Sequence, residues 1–132
     1  MLARDYILRI VQEFTEALTL YLKKKKRVDL LDNDYSNLYV MYFQQKRAFF
    51  IEKSGEEIVS YMKERYDEEE YPERVAMLAE LFYQECLALN FGNEELCKKT
   101  QYLLKWYDHY TKTFSFERMQ KITQVSSAIN PE

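Results

Sequence analysis

The chain has 132 residues, 47% of them hydrophobic and 31% charged, with only two Gly, two Pro and two Cys. Ordinary apolar content with scarce Pro and Gly excludes disordered, low-complexity and collagen-like chains, and no charge-free run of about 18 apolar residues exists to span a membrane. The net charge of −3 is uneven: seven basic against three acidic side chains over residues 1–27, six against sixteen over 28–95, and six against three over 96–132.

Glycine scarcity argues against many tight hairpins. From Asp5 to about residue 26, apolar residues recur at Ile7, Val11, Phe14, Leu18 and Tyr21, with Ile10, Ala17 and Leu22 widening the stripe and Arg9, Gln12, Glu13 and Glu16 opposite. That spacing predicts a helix with one buried face. Asp5 is its expected N-cap, and the cations from Lys23 to Arg27 lie where the negative end of the helix dipole favours them.

Asp32, Asn33, Asp34 and Ser36 carry helix-start chemistry, and Leu38, Tyr39, Tyr42 and Phe43 follow at helical spacing. Residues 38–43 and 48–51 are also continuous apolar runs rich in strand formers. Two readings therefore stand: a helix to about Gln45 followed by an irregular connection, or a β-hairpin through residues 44–47, which hold none of the usual turn residues. The helix is the reading adopted.

Ser54, Gly55, Glu56 and Glu57 read as a capping box, and Ile58, Tyr61 and Met62 should face inward on the short helix that follows. Four acids at 67–70 then lead to Pro72, suited to a first helical turn. Val75, Leu78, Ala79, Phe82, Cys86 and Leu89 form the next stripe. Met77, Leu81 and Ala88 lie on a second side, so this helix should pack against more than one neighbour. Asn90, Phe91 and Gly92 end it, with Gly92 expected in the left-handed position. Asn93 caps a fifth helix that turns Leu96, Thr100, Leu103, Tyr107 and Tyr110 one way. Ser115 caps a sixth, with Phe116, Met119, Ile122 and Ile129 expected inward, and Pro131 ends the chain. The expectation is an all-α single domain over residues 1–132, of about six helices in stacked antiparallel hairpins. Residues 1–53 hold the long first helix, the second helix and a connector, and residues 54–132 a four-helix stack.

Reaction chemistry finds little to use. His109 is the single His, with no Cys or His at ligand spacing, so no metal is expected. Cys97 and His109 stand about 18 Å apart along one helix and cannot pair. Cys86 lies in an apolar stripe that makes it an inert thiol. Both cysteines are expected buried or half-buried in a reducing compartment. The acids at 56–57 and 67–70 read as solvated, Glu117-X-X-Gln120 lacks the imidazole of a di-metal helix motif, and two glycines cannot build a phosphate loop. No cofactor and no enzyme activity are expected. Met1 leads straight into Arg4, Asp5 and a charged helix rather than a secretory leader, which points to the cytoplasm.

Two surfaces remain. Lys23, Lys24, Lys25, Lys26 and Arg27 could bind a polyanion. On a helix they radiate all round, however, and Asp29, Asp32 and Asp34 would repel phosphate. The other surface is aromatic, in a chain with twelve Tyr, eight Phe and one Trp. Tyr102, Trp106, His109 and Thr113 run beside the core stripe of the fifth helix, either packed under a neighbour or lining an open groove.

The segments Asp5-Tyr-Ile-Leu-Arg-Ile10, Leu78-Ala-Glu-Leu-Phe-Tyr83 and Thr113-Phe-Ser-Phe-Glu-Arg118 resemble a family of short uncharacterised bacterial proteins, a likeness that implies no activity. Residues 72–129 also resemble tetratricopeptide-type helical hairpins, which implies stacked hairpins with a concave face. Helix starts near 33, 72 and 115 are spaced by about 40 residues, against the 34 of that repeat. The resulting expectation is a non-enzymatic interaction module that binds a protein, a peptide or a second copy of itself without a membrane. Its anchors are Tyr102, Trp106 and Tyr110, beside His109, and Trp106→Ala should spare folding while weakening association. The alternative is a nucleic-acid-associated regulator using the run at 23–27.

Overall fold

Hydrophobic periodicity resolves into helices throughout residues 3–24 and 33–129, the residues described in a computed structural model of the chain. The seven helices among them are α1 (Ala3–Lys24), α2 (Asn33–Phe43), α3 (Arg47–Ile51), α4 (Gly55–Arg65), α5 (Tyr71–Ala88), α6 (Glu94–Thr111) and α7 (Phe116–Ile129), and no described residue is in a strand. The fold is all-α.

The long stripe of α1 is buried as its spacing predicts: Ile7, Phe14, Leu18 and Tyr21 are inside, with Ile10, Val11, Ala17 and Leu22 packed at the margin. Asp5 is not the N-cap. The helix begins two residues earlier, and Asp5 sits in its first turn, where a carboxylate still suits the dipole. Lys23 and Lys24 occupy the last turn; Lys25, Lys26, Arg27, Asp29 and Asp32 lie outside the described residues, as does Pro131.

The hairpin reading of residues 38–51 fails and the helical one stands, with a correction. α2 stops at Phe43, where Gln44 turns left-handed (φ 59°). The expected irregular connection instead contains a single helical turn, α3, which raises the count from six to seven. Five residues are too few to display a period, so α3 is set by packing. Its Phe50 is wholly buried, 5.8 Å from Phe43 and 6.4 Å from Tyr39, ring centroid to ring centroid.

α5 is the centre of the molecule. Its second apolar side is real: Met77 and Leu81 are buried along with Val75, Leu78, Ala79, Phe82 and Cys86, and only Leu89 of the predicted stripe lies open. α6, α4, α1 and α7 all pack against it, α4 also touching α6, and α7 lies chiefly on α6. Tyr107 on α6 donates to Glu73 near the start of α5, while Cys97 meets Cys86 near its end, so α5 and α6 run antiparallel. α7 returns antiparallel on α6, tied by Arg118–Asp108 at one end and Gln101–Ser126 at the other.

Three predicted caps form. Ser54 and Glu57 make the reciprocal capping box, Asn93 Oδ1 accepts from the Leu96 amide at 3.1 Å, and Ser115 Oγ accepts from the Arg118 amide at 3.2 Å. Two local expectations fall. Asn90 (φ 53°) and Phe91 (φ 60°) take the left-handed positions after α5, not Gly92. The Phe91 amide closes back on the Cys86 carbonyl at 2.6 Å, and its ring packs 6.4 Å from that of Tyr83, which holds a bulky residue in a conformation glycine would adopt more freely. On α7, Phe116 and Met119 point outward. The buried side is set by Val125, with Ile122 and Ile129 beside it, because α6 and α5 reach only that face.

One polar cluster is sealed inside the core. Glu85 is 1% exposed and accepts from Arg47 Nε at 3.0 Å, from Arg47 Nη2 at 2.7 Å and from the Tyr39 hydroxyl. Tyr35 donates to the Leu81 carbonyl one turn away. Both Glu85 oxygens and the Leu81 carbonyl, all on α5, are thus met by donors from α2 and α3, the condition under which a buried carboxylate is tolerated.

Candidate functional site

The edge of α6 that faces the starts of α4 and α5 carries the sequence-predicted aromatic residues. Helical spacing puts Tyr102, Trp106 and Tyr110 on one line, and the core stripe of Leu96, Thr100 and Leu103 anchors the helix beneath them. Trp106 and Tyr110 stack face to face, with centroids 5.0 Å apart and planes at 14°. Tyr71, the first residue of α5, wedges against both rings at 5.8 and 5.7 Å. Its hydroxyl is pushed up to about 12, chiefly by burial, then by its bond to Tyr110 and by the charges of Tyr110 and Glu68.

At the other end of the line, the Tyr102 ring lies across the first residue of α4. A Cβ on Gly55 would sit 2.5 Å from Tyr102 Cδ1, so only glycine allows this approach. Tyr102 stays 37% exposed and Tyr110 44% exposed, whereas Trp106 is half-buried between its neighbours. Packed under a neighbour and open to solvent were the two sequence readings, and the edge combines them. The grouping is redrawn as well. Tyr110, expected on the core face, joins Trp106, while His109 is exposed and Thr113 lies past the end of α6, exposed in the turn that follows.

Carboxylates border this edge. Burial raises the Tyr102 hydroxyl, and the charge of Glu56 adds to the same shift. Asp67, Glu68 and Glu69 are exposed just before Tyr71, and Glu70 is taken up by Arg74 at 2.7 Å. The opposite edge of α6 is closed. Tyr107 donates to Glu73 at 3.0 Å and has the Arg118 guanidinium 4.9 Å over its ring. Burial and the Glu73 charge push that hydroxyl up to about 12.

Neither Tyr71 nor Gly55 was singled out in the sequence as part of this surface. Pro72 marks the helix start but not what the residue before it touches, and the Tyr102–Gly55 approach joins residues far apart in the chain. A cleft of about 370 Å³ between α1, α5 and α7 also goes unannounced, lined by Val11, Leu18, Leu22, Met77, Glu80 and Lys121. Its charges are already engaged, Lys121 with Glu80 and Glu117, and the neighbouring Glu73 with Tyr107.

Among the described residues no three or more His, Cys, Asp and Glu side chains gather as a metal site. Burial raises the Cys86 thiol to about 12, which leaves little thiolate at neutral pH. Lys23 and Lys24 of the basic run are exposed at the end of α1. No helix among the described residues is long and apolar enough to cross a membrane. No family model matches the chain, and no curated protein and no solved structure proves similar to it.

Proposed function

We propose that this is a non-enzymatic interaction module of the cytoplasm that binds a protein or peptide, or a second copy of itself, along the α6 edge. The observation that carries the reading is the Trp106–Tyr110 stack, fixed from behind by Tyr71 and left open in front. Rigid aromatic rings with hydrated polar tips give contact area at low entropic cost. The bordering Glu56, Glu68 and Glu69 favour a partner segment that brings lysine or arginine beside its apolar contacts, through cation–π and charge attraction.

Trp106 is the single tryptophan, so its fluorescence reports the edge directly. Titration with short peptides combining arginine and leucine, against matched peptides with glutamate for arginine, is the test. The cationic set should shift the Trp106 emission and shield it from acrylamide, and Tyr110→Ser with Glu68→Lys should abolish both effects. Emission and light scattering that change with protein concentration alone would identify a second copy as the occupant. If neither peptide set nor concentration alters the fluorescence, the reading falls.

The alternative, a nucleic-acid-associated regulator, has the exposure of Lys23 and Lys24 in its support. It requires duplex or single-stranded binding that weakens steeply with salt and is lost when residues 23–26 are all alanine.

A further inference from the structure

Cys86 on α5 and Cys97 on α6 meet inside the hairpin those helices form. Their Sγ atoms are 3.8 Å apart, both side chains are fully buried, and both thiols are free. A disulfide holds its sulfurs at about 2.05 Å. Closing the bond therefore takes about 1.8 Å off their separation, a movement on the scale of side-chain rotation. The helix backbones need not be drawn together from afar. A turn of five residues, 89–93, joins them at the near end, and the Tyr107–Glu73 bond holds them at the far end.

We propose that Cys86 and Cys97 form an oxidation site, which a small hydroperoxide closes into an intramolecular disulfide pinning α5 to α6. One Sγ, as thiolate, attacks a peroxide oxygen; the O–O bond breaks, hydroxide leaves, and a sulfenic acid remains. The other Sγ gives up its proton and attacks that sulfur, the S–S bond forms, and the sulfenic oxygen departs as water. In sum the two thiols lose two hydrogens, and one hydrogen peroxide is reduced to two waters.

The surroundings set the pace. Burial raises both thiols, Cys86 to about 12, with the charges of Glu85 on α5 and Glu94 on α6 acting in the same direction. Thr100 Oγ1, 3.5 Å from the Cys86 sulfur, opposes the rise there. Thiolate is scarce at neutral pH and the peroxide must enter the hairpin, so closure is slow and quickens as pH rises. The site thus records sustained oxidation, and it lies in the same hairpin that carries Tyr71, Trp106 and Tyr110.

The full chain is incubated with hydrogen peroxide at about pH 7 and about pH 9, quenched with catalase, then unfolded with iodoacetamide present and weighed intact. The expected product is a monomer two hydrogens lighter than the reduced chain, carrying no alkyl group. It should form faster at the higher pH and melt at a higher temperature than the untreated protein, since the crosslink restricts the unfolded chain. Cys86→Ser and Cys97→Ser should each remove the mass loss and the melting shift. Two alkylated cysteines after prolonged treatment, oxygen gained without crosslinking, or disulfide-linked dimers would each overturn the proposal. The wild-type mass reads the result even if a serine variant folds poorly.

Discussion

Tyr35, Tyr39, Phe43 and Phe50, around α2 and α3, are wholly out of solvent, whereas Tyr102, Trp106 and Tyr110 on α6 keep one side open. The first group is enclosed by α5 on one side and by Phe14 and Tyr21 of α1 on the other, and its polar atoms end on Glu85 and the Leu81 carbonyl. The second has Tyr71 behind it and carboxylates beside it. Much of the aromatic richness is therefore ordinary filling, because short helices need large side chains to span the gaps between them. What distinguishes the α6 edge is that its rings are braced yet uncovered.

The largest test of that contrast is Glu85→Ala. It leaves the Arg47 guanidinium and the Tyr39 hydroxyl without their acceptor inside the core. Loss of a buried pair of this kind costs about 3–5 kcal/mol, and Arg47, partly open to water, places the expected value at the lower end, near 3. Urea unfolding measures it; a loss under about 1 kcal/mol would mean the enclosed cluster is not what holds α2 and α3.

High pH attacks the enclosed groups next. Burial holds Tyr39 well above its ordinary range, and Tyr107 and Cys86 rise to about 12. The unfolded chain sheds those protons from about pH 8.5 for the thiol and about 10 for the phenols, while the folded chain retains them. Their contribution to stability is complete below those values and disappears as pH climbs toward 12. Melting temperature should fall across this window, and Tyr39→Phe should flatten the fall.

Smaller effects sharpen the open side. Lys112 ends α6 in the left-handed conformation (φ 54°, ψ 35°) with an exposed side chain, so Lys112→Gly should stabilise by about 1 kcal/mol. Thermal unfolding reads that gain, and fluorescence titration should show peptide binding unchanged. Tyr110→Ser is expected to cost the fold least, about 0.5–1 kcal/mol, while removing most of the binding. Equal losses of stability and binding would make this edge a second piece of core.

What could be read beforehand follows interaction range. The stripe of α1, the two-sided burial of α5 and the caps at Ser54, Asn93 and Ser115 depend on neighbours a few positions away, and all were legible. Phe116 and Met119 share a helical period with Ile122, yet which arc faces inward depends on where α5 and α6 lie, so their exposure was not legible. α3 was missed because one turn has no period, and Gly92 was misjudged because Phe91 gains a ring contact that compensates a strained backbone. At the candidate edge, spacing placed Tyr102 and Trp106 correctly but set Tyr110 on the core face and His109 in its stead, because the tilt of α6 against α4 and α5 decides which arc stays open. Tyr71 entered only through tertiary packing, as did the approach of Cys86 to Cys97.

The tie from Glu85 back to Tyr39 and Arg47 spans 46 and 38 positions of chain. An isolated turn such as α3 cannot sustain itself in water, since helix nucleation outweighs the few bonds it gains. Its ordering must await the arrival of α5, so this part of the molecule assembles through long-range closure, with the associated delay in folding rate. A fragment ending before residue 71 should therefore show α1 helicity at most, and synthesis on the ribosome leaves the first 53 residues without their scaffold until the centre of the chain has emerged.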